Sequence, residues 1–346
     1  MARRPTIADV ARAADVSPST ASVVFSGKTA VSDATRTRVL AAATALGYTG
    51  PDPRAASLRR GRSGIVGVVF AEHLGRAFLD PVRTLMMDGL ADAVSHLGAG
   101  LLLLRDDPGA GGPTLTTAPI DAAVLISCSA ALRASLDAVR ARGIPLVVVE
   151  GDAGEDIPRI ELDNREAQRQ AASHVRGLGH VRVATVTLPP EQGWRGGWLE
   201  PGAGSFDVTR DRLAGVHDVF PGAPAYAARG SFIDEGLAAG RVLFADPASR
   251  PTAVVAQSDL LAAGVIRAAA EAGLDVPRDV SVTGFDGIAV DGLAPYVLTT
   301  LVQPAAEKGR AAGEAVAALL EGRVAAGIRL TCTFREGNTT APVSPR

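Results

Sequence analysis

The sequence predicts an α/β protein in which a helix-turn-helix head precedes a two-lobed core of doubly wound parallel sheets. Three observations lead to this fold class. Short helical patterns fill the region before residue 50, strand and helix patterns alternate from residue 65 onward, and the alternation restarts after Asp163-Asn164. Alternating strands and helices imply parallel sheets covered by helices, and two rounds of alternation imply two lobes. A chain of 346 residues is long enough for two or three domains.

The head is predicted to contain three helices with clear start and stop signals. Apolar residues recur at helical spacing from Ile7 and give the first helix an apolar face. Ser17-Pro18 starts the second helix, because Ser caps exposed N–H groups and Pro fits the first turn. Gly27 can end that helix, and Ser32 can cap a third helix that ends near Gly47. Two helices joined by so short a turn predict a helix-turn-helix.

In such a unit the second helix enters the major groove of DNA with its N-terminal side chains at the base edges. The positions predicted to face outward are Ser17, Pro18, Ser19, Ser22 and Val23. Thr20 belongs to the alternating set of residues, some of which pack inward. Residues 1–62 carry a net charge of +6 and the remainder carries −8, which favours a polyanion at one end of the molecule. The alternatives are that the charges cluster by chance and that the three helices form an ordinary small helical bundle.

Composition and motifs exclude several other classes. Cys128 and Cys332 form no CxxC pair and the five His are scattered, so neither a metal site nor a cofactor is predicted. There is no apolar run of about 18 residues, and no apolar stretch follows the N-terminal arginines, so we expect no membrane span or secretory signal and a cytoplasmic location. GxGxxG after the first strand, HExxH and GxSxG are absent, which favours binding over catalysis. The chain is therefore not expected to be an enzyme.

Several segments resemble the LacI family of transcription regulators. The head has the family's Thr-Ile-x-Asp-Val-Ala opening at Thr6, its Val-Ser-x-x-Thr-x-Ser recognition start and its closing Leu-Gly-Tyr. In the core, "LDNREAQRQAASHVRGLGH", "TRDRLAGV", "AQSDLLAAGVIRAAAEAGLDVPRDVSVTGFDG" and "CTFREGNTTAP" are similar to family segments. The core thereby also resembles periplasmic sugar-binding proteins, and the resemblance covers nearly the whole chain.

The resemblance implies an organisation and a function. The head would span 1–50 and a hinge 51–62; the first core lobe would take 63–161 and 304–327, the second 162–303 and 328–341, with 342–346 as a tail. The protein would be a sequence-specific transcription regulator, expected to be a repressor, that grips operator DNA as a homodimer. A small-molecule effector, expected to be a carbohydrate, would bind between the lobes and set operator affinity.

The resemblance also implies a set of DNA-contacting residues. They are Thr6, Ser17, Pro18, Ser19, Thr20, Ser22, Val23, Lys28 and Ser32 in the head, and Arg54, Ala55, Leu58 and Arg59 in the hinge. Leu58 matches a residue that wedges between base pairs in the minor groove, where an apolar side chain partly unstacks a step; an ordinary basic linker is the alternative. Val23 departs from the family, since many members have an Arg there that reads a base edge.

Effector contacts are implied in the same way. The expected residues are Phe78, Ser127, Trp194, Arg210, Ser258, Asp286 and Gln303. Arg210 matches an arginine that holds effector hydroxyls or carboxylates, but it can also pair with Asp207 or Glu200. Asp286 matches an acidic residue of the cleft, but it can also cap a turn. The unusual segment 189–204, which holds both tryptophans, can line the pocket or form an exposed flap or a dimer contact.

Two other functions stay open on the sequence. A transport solute-binding protein has a similar core, although the basic head and the missing signal sequence count against it. A sugar-acting enzyme can use a doubly wound fold, although the motif search gives it no support.

Overall fold

The computed structural model describes residues 5–27, 30–50, 61–70, 74–105, 114–126, 136, 139–151, 154–200 and 206–344. The chain divides into two compact units, 1–64 and 65–346. The predicted hinge residues Arg54, Ala55, Leu58 and Arg59, together with Lys28 and Ser127, lie outside the described residues.

The head unit contains the three predicted helices. They are α1 (Ile7–Ala13), α2 (Pro18–Ser26) and α3 (Asp33–Leu46). Each begins at a capping side chain, namely Thr6, Ser17 and Ser32, and α2 and α3 each end at a glycine in the left-handed conformation. Val10, Val24 and Val39 meet in a small buried core. The sequence predictions for these helices are therefore confirmed to within about one residue.

The first lobe of the core is built on a sheet of parallel strands. Its described strands are β1 (Ile65–Phe70), β2 (Gly100–Arg105), β3 (Ala122–Ile126), β4 (Leu146–Val149), β5 (Arg159–Leu162) and β12 (Ile328–Leu330), in the order β12-β5-β4-β3-β1-β2. Its described helices are α4 (Leu74–Ala77), α5 (Pro81–Ser95) and α10 (Ala305–Leu320). Strands β1, β3 and β4 at the centre of the sheet read as continuous apolar runs because both faces of the sheet are covered there.

The second lobe repeats the same winding. Its sheet has the order β10-β9-β6-β8-β7, formed by β6 (Val183–Thr187), β7 (Gly197–Trp198), β8 (Ala225–Ala227), β9 (Ala253–Ala256) and β10 (Ser281–Thr283). Its described helices are α6 (Asn164–Gly177), α7 (Asp207–His217), α8 (Ile233–Phe244) and α9 (Asp259–Glu271). All pairs are parallel except β7 with β8. Strand order reverses between β1 and β3 in one lobe and between β6 and β9 in the other, and such reversal points are where doubly wound sheets bind ligands.

The chain crosses between the lobes after β5, after β11 (Thr300–Val302) and after β12. Strand β11 pairs antiparallel with β13 (Thr333–Arg335) at these crossings. One predicted boundary is corrected: Ile328 pairs with Ile160 of β5, so 328–330 belong to the first sheet rather than to the second lobe. This short edge strand is mostly exposed and carries little apolar pattern, which is why the sequence does not reveal its partner.

Close helix contacts fix the shape of the first lobe. Helices α5 and α10 approach so closely that a Cβ on Gly89 would overlap the Ala306 carbonyl oxygen, and one on Gly309 would overlap that of Met86.

Among the described helices, none is long and apolar enough to cross a membrane.

Candidate functional site

The N-terminal end of α2 forms a polar surface on the head. Ser17 Oγ accepts a hydrogen bond from the Thr20 N–H at 3.1 Å and lies 2.7 Å from Ser19 Oγ. Ser17, Pro18 and Ser19 are exposed, whereas Thr20, Ser22 and Val23 are partly exposed. Hydroxyls and free N–H groups at a helix N-terminus are suited to phosphate oxygens.

Two further predicted contacts act as caps in the structure. Thr6 forms a reciprocal capping box with Asp9 at the start of α1. Ser32 Oγ accepts from the Thr35 N–H at 3.3 Å at the start of α3. A capped helix start has free N–H groups beside the capping residue, so both positions remain compatible with contact to a phosphate backbone.

A cleft of about 760 Å³ lies between the two lobes of the core. Its walls come from the carboxyl ends of the strands in both sheets: Phe70 ends β1, Ile126 ends β3, and Leu188 follows β6. Ser258 and Asp286 follow β9 and β10 in the second lobe. The cleft thus occupies the position that the strand orders predict for a ligand.

Arg212 and Asp286 form one half of the cleft floor. Arg212 is 3% exposed; its Nε donates to Asn164 Oδ1 at 2.8 Å and its Nη1 to the Gln257 carbonyl at 2.6 Å. The same Nη1 lies 3.9 Å from Asp286 Oδ1, and the guanidinium stacks 3.5 Å from the centroid of the Phe285 ring. Protein groups hold Nε, Nη1 and one face of the planar guanidinium, so its position is fixed before any ligand arrives.

Lys308 and Glu150 form the other half. Gln303 Nε2 donates to Asp286 Oδ1 at 2.6 Å, and Lys308 Nζ donates to Gln303 Oε1 at 2.7 Å. Lys308 Nζ also lies 3.7 Å from Glu150 Oε2, and Glu150 Oε1 accepts from Asn164 Nδ2 at 3.3 Å. Together with Arg212, these groups form a closed ring across both lobes. We call this set of six residues the floor ring: Glu150, Asn164, Arg212, Asp286, Gln303 and Lys308.

The floor ring carries two signs of a functional site. Glu150 and Asp286 both have positive φ angles, 56° and 126°, which are uncommon for residues other than glycine and concentrate at binding and active sites. Burial also raises the pKa of Asp286 well above its ordinary value, although the nearby Arg212 lowers it. Asp259, at the start of α9 beneath the cleft, has its pKa raised by burial to about 7.

One wall of the cleft is formed by residues 189–194 of the unusual segment that follows β6. Glu191, Gln192 and Trp194 line the cleft, and the Trp194 indole N–H donates to the Ala227 carbonyl at 3.2 Å. Trp198 lies in β7 at the sheet edge, is 48% exposed, and packs edge-on against Tyr226. The two tryptophans therefore have different positions: one faces the cleft and the other lies outside it.

Comparisons with known proteins identify the family. Residues 6–50 match the model of bacterial regulatory proteins of the lacI family, and 172–340 match a periplasmic binding protein-like domain. An HTH-type transcriptional regulator of Mycolicibacterium smegmatis is 34% identical over 334 residues, covering 90% of this chain and 89% of that protein. This chain belongs to the LacI family. It is a DNA-binding transcription regulator, and the predicted fold class is confirmed.

Solved structures of LacI-family proteins share the fold. The lac repressor dimer bound to operator and an anti-inducer superposes with a TM-score of 0.78 at 22% identity, covering 98% of this chain and 100% of that one. The transcriptional regulator CelR in complex with cellobiose has a TM-score of 0.67 at 25% identity, covering 97% of this chain and 100% of that one.

The predicted placement of Arg210 is corrected in this LacI-family chain. Arg210 is 57% exposed and pairs with Asp207 at 2.7 Å, as the alternative allowed, in a surface depression outside the cleft. Arg212 occupies the cleft instead. Side chains two positions apart in a helix point in directions that differ by about 200° around its axis. The two arginines of the Arg-x-Arg pattern therefore face opposite sides of α7.

Phe78 is also corrected. It is 40% exposed and lies outside the cleft lining, with its ring packed 5.8 Å from that of Phe70, which does line the cleft. Trp194, Ser258, Asp286 and Gln303 lie in the cleft wall, where the sequence places them. Ser258 also caps α9 by accepting from the Leu261 N–H at 3.1 Å.

Sequence reasoning missed four members of the floor ring: the charged residues Glu150, Lys308 and Arg212, and the polar residue Asn164. A signal for Arg212 is present, because Gly215 lies one turn further along α7 on the face that packs closely against Arg165 of α6. Glu150 directly follows a buried strand, a position where a charged side chain often marks a site. Lys308 lies at a buried position of α10 and gives no local signal of its partner.

Proposed function

We propose that this LacI-family regulator represses transcription as a cytoplasmic homodimer, and that a carbohydrate held in the interlobe cleft sets its operator affinity. The observation that carries the proposal is the floor ring, a fixed set of buried donors and acceptors at the ligand position of both lobes. The CelR–cellobiose complex supports the carbohydrate assignment, because that relative has the same fold.

The head supplies the DNA contacts in this proposal. Ser17, Ser19, Ser22 and Val23 on α2 face a major groove, while Thr6 and Ser32 face the phosphate backbone. The predicted contacts at Lys28, Arg54, Ala55, Leu58 and Arg59 remain sequence-based parts of the proposal. Since one head buries little surface, a near-palindromic operator and a dimer are required for tight binding.

The core supplies the response. A ligand that touches Asp286 in one lobe and Lys308 in the other binds best at one angle between the lobes, so it shifts the population toward that angle. This coupling would change how far apart the two hinges of a dimer lie, and thereby the operator affinity. We infer binding without turnover, because the charged groups of the floor hold each other in fixed pairs rather than presenting an activated nucleophile beside a base.

The deciding experiment is selection of random duplex DNA by the full-length protein, with and without a panel of sugars. Recovery of a near-palindrome whose binding is lost or gained with one sugar supports the proposal and gives the sign of regulation. Enrichment that no sugar alters would overturn the carbohydrate part. Turnover of a sugar in the same samples would overturn the inference that the cleft only binds.

A further inference from the structure

Each cation of the cleft floor is paired with a carboxyl group. Arg212 lies 3.9 Å from Asp286, and Lys308 lies 3.7 Å from Glu150. The side chains of Arg212 and Lys308 are only 3% and 4% exposed, so solvent screens neither pair effectively. A ligand that reaches the floor therefore meets each cation together with the carboxyl group of its partner at close range.

The cations nearer the cleft walls are also engaged. Arg229 Nε donates to Glu235 Oε1 at 2.7 Å, and Arg83 Nε lies 3.9 Å from Asp80 Oδ2. Arg105, the remaining basic residue among the described lining residues, also has an interaction partner. The described cleft thus offers no cluster of spare positive charge of the kind that phosphate recognition uses.

The uncharged surface of the cleft suits a ring with hydroxyl groups. Trp194, Phe206 and Phe232 are partly exposed and contribute aromatic surface, which can pack against the C–H faces of a sugar. A hydroxyl both donates and accepts, so it can bridge a neighbouring cation and carboxylate. A phosphate dianion can only accept from the cations, and it would be buried beside the Glu150 carboxylate against its repulsion.

We propose that the cleft selects an uncharged carbohydrate, and that the Glu150–Lys308 pair makes it reject phosphorylated sugars by cancelling the lysine charge. This inference rests on the proposed function, since it assigns a substrate class to the same cleft. Glu150 is the decisive partner because its carboxylate also accepts from the Leu162 N–H at 3.2 Å, which holds it in place opposite Lys308.

The test measures binding of matched pairs to the full-length protein by calorimetry and thermal shift: glucose and glucose 6-phosphate, ribose and ribose 5-phosphate, trehalose and trehalose 6-phosphate, with cellobiose and maltose as further neutral sugars. We expect a neutral sugar to bind and its phosphorylated partner to bind at least ten-fold more weakly. A phosphorylated sugar that binds more tightly than its neutral partner would overturn the inference while leaving the effector site intact. Binding by no member of the panel would overturn the proposed carbohydrate effector, and the inference with it.

Glu150→Gln tests the pair directly. Glutamine keeps an acceptor oxygen for the Leu162 N–H but removes the charge, so Lys308 becomes uncompensated and the preference for neutral sugars should fall at least ten-fold. Glu161→Gln is the matched control: Glu161 lies on β5 outside the cleft and pairs with Arg329 at 3.1 Å, so the preference should not change. An unchanged preference in a folded Glu150→Gln protein would overturn the role of the pair. Should Glu150→Gln unfold, the wild-type panel still decides the ligand class.

Discussion

The head and the cleft place their polar side chains in opposite environments. In the head, Ser17 and Ser32 are exposed and bond to the helix that they begin. In the cleft, Arg212 and Asp286 are buried and bond to groups far away in the sequence. Loss of a local cap lowers the free energy of unfolding only slightly, whereas a buried charge that loses its partner lowers it strongly. The two regions should therefore respond very differently to removal of one polar side chain.

The largest expected effect is that of Arg212→Ala. Its removal leaves Asp286, Asn164 Oδ1 and the Gln257 carbonyl without their buried partner, which should cost about 3–5 kcal/mol of core stability. Urea unfolding followed by tryptophan fluorescence measures this, because both tryptophans lie in the core unit.

Arg210→Ala is the matched control on the same helix. Its ion pairs with Asp207 and Asp211 are exposed, and such pairs contribute about 0–1 kcal/mol. Equal losses for the two variants would contradict the buried and exposed assignments of α7.

This contrast also explains what could be predicted from the sequence. The helices of the head and the alternation of strands and helices in both lobes follow from apolar periodicity and local start and stop signals, and the structure confirms this alternation in the described residues. The family resemblance places Ser258, Asp286 and Gln303 in the cleft. Glu150 and Lys308 could not be paired in advance, because their contact depends on how the chain returns to the first lobe after β11. Arg212 was missed because two arginines shared one motif and only the packing of α7 separates them.

A second large effect concerns pH. Asp259 has its pKa raised by burial to about 7, against hydrogen bonds from Thr300 and the Ile288 N–H that lower it. A raised carboxyl pKa favours the protonated folded state, so this group's contribution to stability is full below about pH 4 and is lost as pH rises to about 7. Asp259→Asn should therefore become more stable relative to wild type over this range, at up to about 1.4 kcal/mol per pH unit.

The wild-type curve alone does not isolate Asp259. His174 and His180 have pKa values lowered by burial, so their contributions rise with pH in the same range. The difference between wild type and Asp259→Asn at each pH removes the two histidine contributions and reports Asp259 together with its effect on Asp286, whose pKa the Asp259 charge raises. A difference that stays constant from pH 4 to 7 would show that the carboxyl titrates normally.

A smaller effect is expected where the head meets bases. Val23 is partly exposed on α2 and can offer only apolar contact, such as to a thymine methyl group. Val23→Arg introduces a bidentate donor, so selection of random duplexes should gain a guanine at one position of each half-site, with about 1–3 kcal/mol of discrimination. Val23→Leu keeps the apolar contact and should leave the selected base unchanged; an unchanged base with Arg would place position 23 away from the groove.

The smallest effect is that of a single cap. Ser17→Ala removes the acceptor for the Thr20 N–H and should cost about 1 kcal/mol of head stability, seen as faster hydrogen exchange of the α2 amides. Ser19→Ala is its neighbour control, because Ser19 Oγ contacts Ser17 Oγ without capping the helix. Because Ser19 faces the major groove in the proposed complex, its variant should weaken operator binding without faster exchange in α2. Since the cap bonds only within its own helix, its loss should leave the urea midpoint of the core unchanged. A shift of the urea midpoint by Ser17→Ala would mean that the head and the core do not unfold independently. The contrast between local caps and long-range pairs would then have to be measured on the separated head and core.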